Sequence, residues 1–317
     1  RGHSEASYGV PASMSVGVEP NLVTDPDVVA GERERRLPPI VGTLRQAWRF
    51  GRTRVGVVLL VLVVVLAFVG PYVAPHSPSE FVSTPFAKPS SEAVLGADYL
   101  GRDVLSRILW GGRSILWMAF AATTIGVFAG AALGMIAGYA RSALDDWIMR
   151  SLDVLLAFPG IVLAILFVSM LGPKPWLIVV LVAAVWIPGV ARVCRGVTLE
   201  TVSREYIDVA EVLGTPRRRI IVREILPNVM TPLLVEYGLR LTWSIAAIAA
   251  ISFLGFGIQP PAADWGLMIN ENRTGLTLQP WAVIIPIVTI AVLTIATNLI
   301  AEGISRSIAG VDRTVQR

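Results

Sequence analysis

The residues best placed to do chemistry lie together in the second half of the chain. Glu205, Asp208 and Glu211 recur every three residues, Gly214 follows, and then come Arg217, Arg218, Arg219 and Arg223. The spacing predicts two short helices joined at the glycine. Ser203 is expected to cap a helix over 204–213, and Gly214 to end it in the left-handed conformation. Thr215 is expected to cap a second helix with Pro216 at its first position, where a missing N–H costs nothing. That helix is expected to run to about Leu226 and stop at Pro227. On the first helix Tyr206, Val209, Ala210 and Leu213 fall at i, i+3, i+4 and i+7, an apolar stripe with the carboxylates along another edge. The second keeps Ile220, Ile221 and Ile225 apolar among its arginines, with Glu224 beside them. Such an element makes and breaks no covalent bonds. It can lie on a membrane with arginines on lipid phosphates, or dock an acid-rimmed apolar surface onto a protein. It can also enter DNA as a helix-turn-helix, although carboxylates on its first helix would repel phosphate.

Other chemistries are excluded by the counts. Lys88 and Lys174 are the only lysines and each precedes a proline, so no Gly-Lys-Ser/Thr exists to close a phosphate-binding P-loop. Cys194 stands alone, and His3 and His76 are the only histidines, which leaves no internal disulfide and no zinc site. No G-x-S-x-G nucleophile elbow is present.

The elements that must hold the 204–226 pair are membrane helices. Hydrophobic residues make up 54% of the 317 residues and charged residues 16%, and the mean hydropathy is +0.65. A soluble domain carries about 25% charge, so this chain is too apolar to be one. Six uncharged apolar runs cover 55–73, 115–140, 154–172, 176–191, 241–258 and 281–301. About 20 helical residues cross a bilayer core, so each run is expected to span it. The run over 176–191 is short, but Lys174, Pro175 and Arg192 suit its interfacial ends. The first run lies too far in, and is too long, to be a cleaved signal. The sequence opens on Arg1 rather than an initiator methionine, so its start is expected to be truncated or foreign to the protein.

Six spans place both termini on one side. With the termini inside, inner segments carry 20 Lys/Arg and outer segments 6, leaving out Arg240 at a span border. The positive-inside rule selects that orientation, and the net charge of +4 is read as a topology signal rather than a nucleic-acid signal. The expected organisation is an N-terminal cytoplasmic tail over 1–54, a first span over 55–75 and an outer segment over 76–114. A core membrane domain over 115–303 then contains the inner loop 194–236, and a cytoplasmic tail covers 304–317. In the outer segment Leu100, Val104, Leu105, Ile108 and Leu109 share one helical face, and Arg102, Asp103, Ser106 and Arg107 the other. An amphipathic helix at the outer interface is expected there, as an anchor or as a landing surface. Gly126, Gly130, Gly134 and Gly138 recur every four residues, a spacing that lets helices approach closely. Pro159-Gly160 and Pro188-Gly189 are expected to bend the third and fourth spans. The runs contain no Asp or Glu, which argues against ion-coupled transport and against an intramembrane aspartyl enzyme. An apolar path of low selectivity is expected, lined by Phe158, Pro159, Trp186, Pro188, Trp243, Ser252 and Phe253.

Asp208-Val209-Ala210, Gly214 and Ile225-Leu226-Pro227-Asn228 resemble the EAA loop of ABC-importer permeases, the loop where such permeases meet their ATPase subunits. Asp replaces Glu at 208, Val replaces Ala at 209, and Glu224 stands where the pattern has Ile. Further stretches are similar to the C-type subunit of dipeptide and oligopeptide permeases. They are Leu95-Gly96-Ala97-Asp98-Tyr99-Leu100-Gly101-Arg102-Asp103, Ala157-Phe158-Pro159-Gly160, Ser252-Phe253-Leu254-Gly255, Trp265-Gly266 and Asn298-Leu299-Ile300. The resemblance covers roughly 55–312. Ile248 stands where similar proteins often have a glutamate, so no role for that carboxylate carries over.

The resemblance implies an all-α polytopic protein with the type I ABC-importer permease fold in the cytoplasmic membrane. It implies a permease subunit that imports di- or oligopeptides, or nickel, haem or glutathione through the same machinery. The partners it implies are a second homologous permease, two ATPases or one fused ATPase, an extracytoplasmic binding protein and membrane lipid, with no nucleic acid. ATP and magnesium would belong to the ATPases, and this chain would hold no cofactor or metal. The ATPase-coupling residues implied are Glu205, Asp208, Val209, Ala210, Glu211, Leu213, Gly214, Arg218, Glu224, Ile225, Leu226 and Pro227. A secondary transporter or an intramembrane enzyme is the remote alternative.

Overall fold

The computed structural model describes residue 42 and residues 45–315. Of the tail expected over 1–54, residues 1–41, 43 and 44 lie outside the described residues. The chain is helical, and its elements follow in the order α1 (Gly51–Val73), α2 (Val104–Ala140), α3 (Ala143–Leu156), α4 (Gly160–Leu171), α5 (Pro175–Val202), α6 (Glu205–Val212), α7 (Arg217–Ile220), a π-turn (Ile221–Ile225), α8 (Leu226–Phe253), α9 (Trp265–Asn272) and α10 (Trp281–Val315). Among the described residues five helices are long and apolar enough to cross a membrane, or six if the bent pair α3–α4 counts as one broken span.

The spans are longer than the uncharged runs. Helix α1 takes in four residues assigned to the N-terminal tail, α5 runs to Val202 rather than 191, and α10 passes 304 without a break. Nearly half of the loop expected over 194–236 is therefore the ends of α5 and α8, and the rest is α6, α7, the π-turn and their connections. Charge marks the edge of a hydropathy window, but a helix continues past it where charges pair. Arg195 makes a two-pronged contact with Asp145 of α3, at 2.6 Å on both sides, and Arg192 pairs with Asp153. These pairs pin α3 along α5. The expected third span is broken: α3 and α4 meet at 76°, where Pro159 caps α4 and Ala157 and Phe158 leave the helix. The fourth span, in contrast, passes through Pro188-Gly189 as one helix.

Helix α2 packs along α5 through its glycine ladder. A methyl group at Gly126 or Gly130 would stand 2.8 Å from the carbonyl oxygen of Ala183 or Ile187, one turn apart on α5. Gly134 and Gly138 continue the seam against Ala191 and Arg195. The backbones touch because no side chain separates them.

The outer amphipathic helix expected over 100–109 is not a separate surface element. Helix α2 begins at Val104, capped by Asp103, whose carboxylate accepts from the N–H of Ser106 at 2.9 Å. The supposed water-facing residues Arg102, Asp103, Ser106 and Arg107 are all buried. Arg102 bonds Asp98 at 2.7 Å and Glu271 at 3.2 Å, and Arg107 reaches Glu271 at 2.9 Å. Two arginines and two carboxylates from distant segments thus neutralise one another and clamp α9 onto the start of α2. A polar helical face can be satisfied by a buried partner as well as by water.

Candidate functional site

Helix α6 stands at the end of the bundle where α2, α5 and α8 have their 140, 202 and 226 ends. Its one buried side chain is Ile207. Ile207 is fully buried with Ile220, Ile225 and Val229 in a cluster that also takes in Val127, Val190 and Cys194. The expected stripe is rotated accordingly. Tyr206, Val209 and Leu213 face outward, joined by Val212, with Val209 57%, Leu213 78% and Val212 87% exposed. Ala210, expected at the centre of that stripe, packs inward against the Ile207 cluster. The result is an exposed apolar ridge on a short helix anchored from below.

Two expected caps are absent. The Ser203 hydroxyl donates to the Glu200 carbonyl, and Arg204 precedes α6 without a side-chain cap. Pro216 rather than Thr215 precedes α7, again with no side-chain bond. Gly214 does adopt the left-handed conformation, with φ of 74°. Pro227 does not end the helix. The π-turn at Ile221–Ile225 widens the coil just before it, and α8 begins with proline in its first turn. A wider turn removes the clash between the proline ring and the carbonyl four residues back.

Around the ridge the charges are mixed. Glu205, Asp208 and Arg218 are exposed, while Glu224 and Leu226 are half-buried and Ile225 is buried. Glu211 is not free: its carboxylate accepts a 2.7 Å bond from the Tyr139 hydroxyl at the end of α2. Asp208, Glu211, Arg217, Arg141 and Tyr139 line a polar pocket of about 230 Å³ beside α6. Among the described residues no cluster of three or more His, Cys, Asp or Glu could hold a metal ion.

A half-open cavity of about 310 Å³ lies between α4, α5 and α8, where Trp243 is 62% exposed. Trp186 and Trp243 line it, with Gly160, Ile161, Val185 and Ala247. Phe158 and Pro188 line a smaller pocket of about 70 Å³ behind the α3–α4 break, and Pro159 makes that break. Ser252 and Phe253 are not brought to the cavity. Ser252 is buried beneath Gly257 and Gly266, and Phe253 ends α8, its carbonyl taken by Asn270.

Helix α8 carries charge just before the fifth uncharged run. Glu236 and Arg240 lie inside α8 and pair at 2.7 Å, and the Arg240 guanidinium sits 5.4 Å from the centre of the Trp186 ring. Cutting the fifth span at Leu241 hid this pair, although the Glu-x-x-x-Arg spacing of an ion-paired helix was legible. At the opposite end Asp264 caps α9 and is only 1% exposed. Burial pushes its carboxyl above the usual range, against bonds from Ser114 Oγ at 2.6 Å and the Leu267 N–H at 3.1 Å.

The family described as the binding-protein-dependent transport system inner membrane component matches residues 130–310, which hold α6, the cavity and the Glu236–Arg240 pair. The chain belongs to that family. It is 38% identical to a glutathione transport system permease protein of Pectobacterium atrosepticum, over 82% of this chain and 88% of the relative. It is 34% identical to a di/tripeptide transport system permease protein of Pseudomonas aeruginosa, over 78% and 84% of the two chains. A dipeptide transport system permease protein of Haemophilus influenzae is 32% identical over 79% and 87%. The permease is an integral inner-membrane protein with the type I ABC-permease fold. It is a transport component and not an enzyme: it works with substrate-binding subunits and with separate ATPase subunits that hydrolyse ATP.

Proposed function

We propose that this permease is one of two homologous membrane subunits of an ATP-driven importer for small peptides, and that α6 is where an ATPase subunit docks. Both termini and α6 then face the cytoplasm, and α9 and the 76–103 segment face outward, in line with the 20 to 6 imbalance of Lys and Arg. ATP and magnesium reside in the ATPases, as two subunits or one fused pair. The peptide reading rests on the similarity to di/tripeptide and glutathione permeases along most of the chain. Glutathione is itself a tripeptide, so it falls within the same substrate class.

The observation that carries the coupling reading is the α6 ridge. Three large apolar side chains stand in the open on an eight-residue helix whose one buried anchor, Ile207, ties it to α2, α5 and α8. A push on α6 is thereby transmitted to the helices that line the cavity. Apolar centres with a charged rim suit protein docking. The test is reconstitution of the permease with its second permease, ATPases and binding protein in proteoliposomes. ATP-dependent uptake of peptide is expected; uptake that persists without the ATPases would mark a secondary transporter and overturn the reading.

A further inference from the structure

We propose that Arg240 is a substrate-contact residue inside the membrane, where its guanidinium meets the carboxylate of a passing peptide. The inference rests on the peptide reading above. Its first support is depth. Arg240 stands 13 residues before the end of α8 at Phe253, and Gly189 stands 14 residues after the start of α5 at Pro175. At about 1.5 Å per residue both lie about 20 Å from the outer helix ends, within a hydrocarbon core about 30 Å thick. A charge at that depth is costly and marks a functional position unless it is wholly paired.

Its second support is position. Arg240, Trp243 and Ala247 fall at i, i+3 and i+7 on α8, and the latter two line the cavity. Arg240 therefore continues the cavity face by one turn toward the α6 end. On α5 the matching position one turn beyond Trp186 is Gly189. A methyl group there would stand 3.0 Å from Arg240 Nη2, so the glycine leaves the space that the guanidinium fills. Trp186 is held in turn by its indole N–H, which donates to Ser244 Oγ at 2.8 Å.

Its third support is spare bonding capacity. Arg240 Nε and Nη2 both contact one oxygen of Glu236, at 2.9 and 2.7 Å. Nη1 makes no hydrogen bond among the described residues, and the side chain keeps 24% of its surface exposed. The edge formed by Nη1 and Nη2 has the fork geometry that takes a carboxylate through two bonds. Glu236 orients the arginine between substrates, and the tryptophan ring holds its plane.

The test uses the assembled importer with Cys194→Ala in this chain, trialanine and the thiol-free S-methylglutathione as probes, and the matching binding protein. Arg240→Cys is expected to assemble and to lower uptake at least tenfold. Modification by a thiosulfonate carrying an ammonium group should restore uptake, while one carrying a sulfonate should not, and trialanine should slow both reactions. Wild-type uptake in Arg240→Cys, equal effects of the two reagents, or no reaction at position 240 in any nucleotide state overturns the proposal. If Arg240→Cys does not assemble, the double variant Glu236→Gln/Arg240→Gln decides. Full uptake in it shows the pair to be structural and overturns the proposal, and assembly with failed uptake supports it. An importer whose unaltered chain moves neither probe overturns the peptide reading instead.

Discussion

Alanine at Gly130 and alanine at Gly196 should have opposite effects on stability, although both glycines are helical. At Gly130 the added methyl would stand 2.8 Å from the Ile187 carbonyl oxygen and 2.8 Å from Val190 Cβ. The favourable carbon–carbon separation is about 3.5–4.0 Å, so α2 and α5 must part by about 1 Å or bend. Neither neighbour can yield alone, since one is backbone and the other the root of a β-branched side chain. Overpacking of this kind costs about 1–3 kcal/mol. Removing a helical glycine returns about 0.5–1 kcal/mol, leaving Gly130→Ala destabilised by up to about 2.5 kcal/mol. Gly196, on the exposed side of α5, has nothing within 4 Å, so Gly196→Ala keeps only the gain. The gap between the variants is then the overpacking alone, with each ~1.4 kcal/mol worth about tenfold in the unfolding constant. Reversible unfolding of the purified chain in mixed micelles, titrated with a denaturing detergent and followed by circular dichroism, measures it. If Gly130→Ala proves as stable as Gly196→Ala, the close-packed seam is not what holds α2 to α5.

Arg107→Ala should cost about 3–5 kcal/mol, read as lost expression and a lower unfolding midpoint, because it leaves Arg102 alone to neutralise the two buried carboxylates of Asp98 and Glu271. Asp264 gives a pH signature. Its carboxyl is raised on folding, so between the unfolded and folded pKa the unfolded chain sheds a proton that the folded chain keeps, and stability falls as pH rises. Asp264→Asn should remove that fall, seen as a flatter melting temperature against pH from about 4 upward; an unchanged slope would refute it. For topology, cysteines at Phe81 or Leu278, both well exposed, should be modified by an impermeant reagent from outside the cell, and one at Arg218 should be spared. Asp264 would be a poor outer probe, since it is buried.

Much of this architecture can be read along the chain, because hydropathy and glycine spacing are local. The long apolar helices, the glycine seam and the left-handed Gly214 all follow from windows of a few turns. What cannot be read locally is which polar residue meets which. Asp98 and Glu271 are far apart in sequence, and without them Arg102 and Arg107 look like the wet face of a surface helix. The same holds for Arg195 and Asp145, whose pairing lets α5 run on past 191. Pro227 misleads for a related reason: its cost is absorbed by a π-turn that no propensity announces. In the candidate site, Tyr206, Val209 and Leu213 of the ridge are legible, but Val212 and the inner side are not. Periodicity alone could not choose Ile207 as the anchor over Ala210, because either places an apolar residue inward.

The coupling claim meets its most direct test at Gly214 and Asp208. Proline cannot adopt a φ of 74°, so Gly214→Pro should redirect the chain between α6 and α7, and Asp208→Lys reverses a charge beside the ridge without touching the bundle. The measurement is retention of the ATPase subunits on the purified complex, together with hydrolysis stimulated by the loaded binding protein. Both variants are expected to insert in the membrane and pair with the second permease, yet lose ATPase or its stimulation. Wild-type retention and stimulation in both would contradict the account and leave α6 as no more than a surface helix.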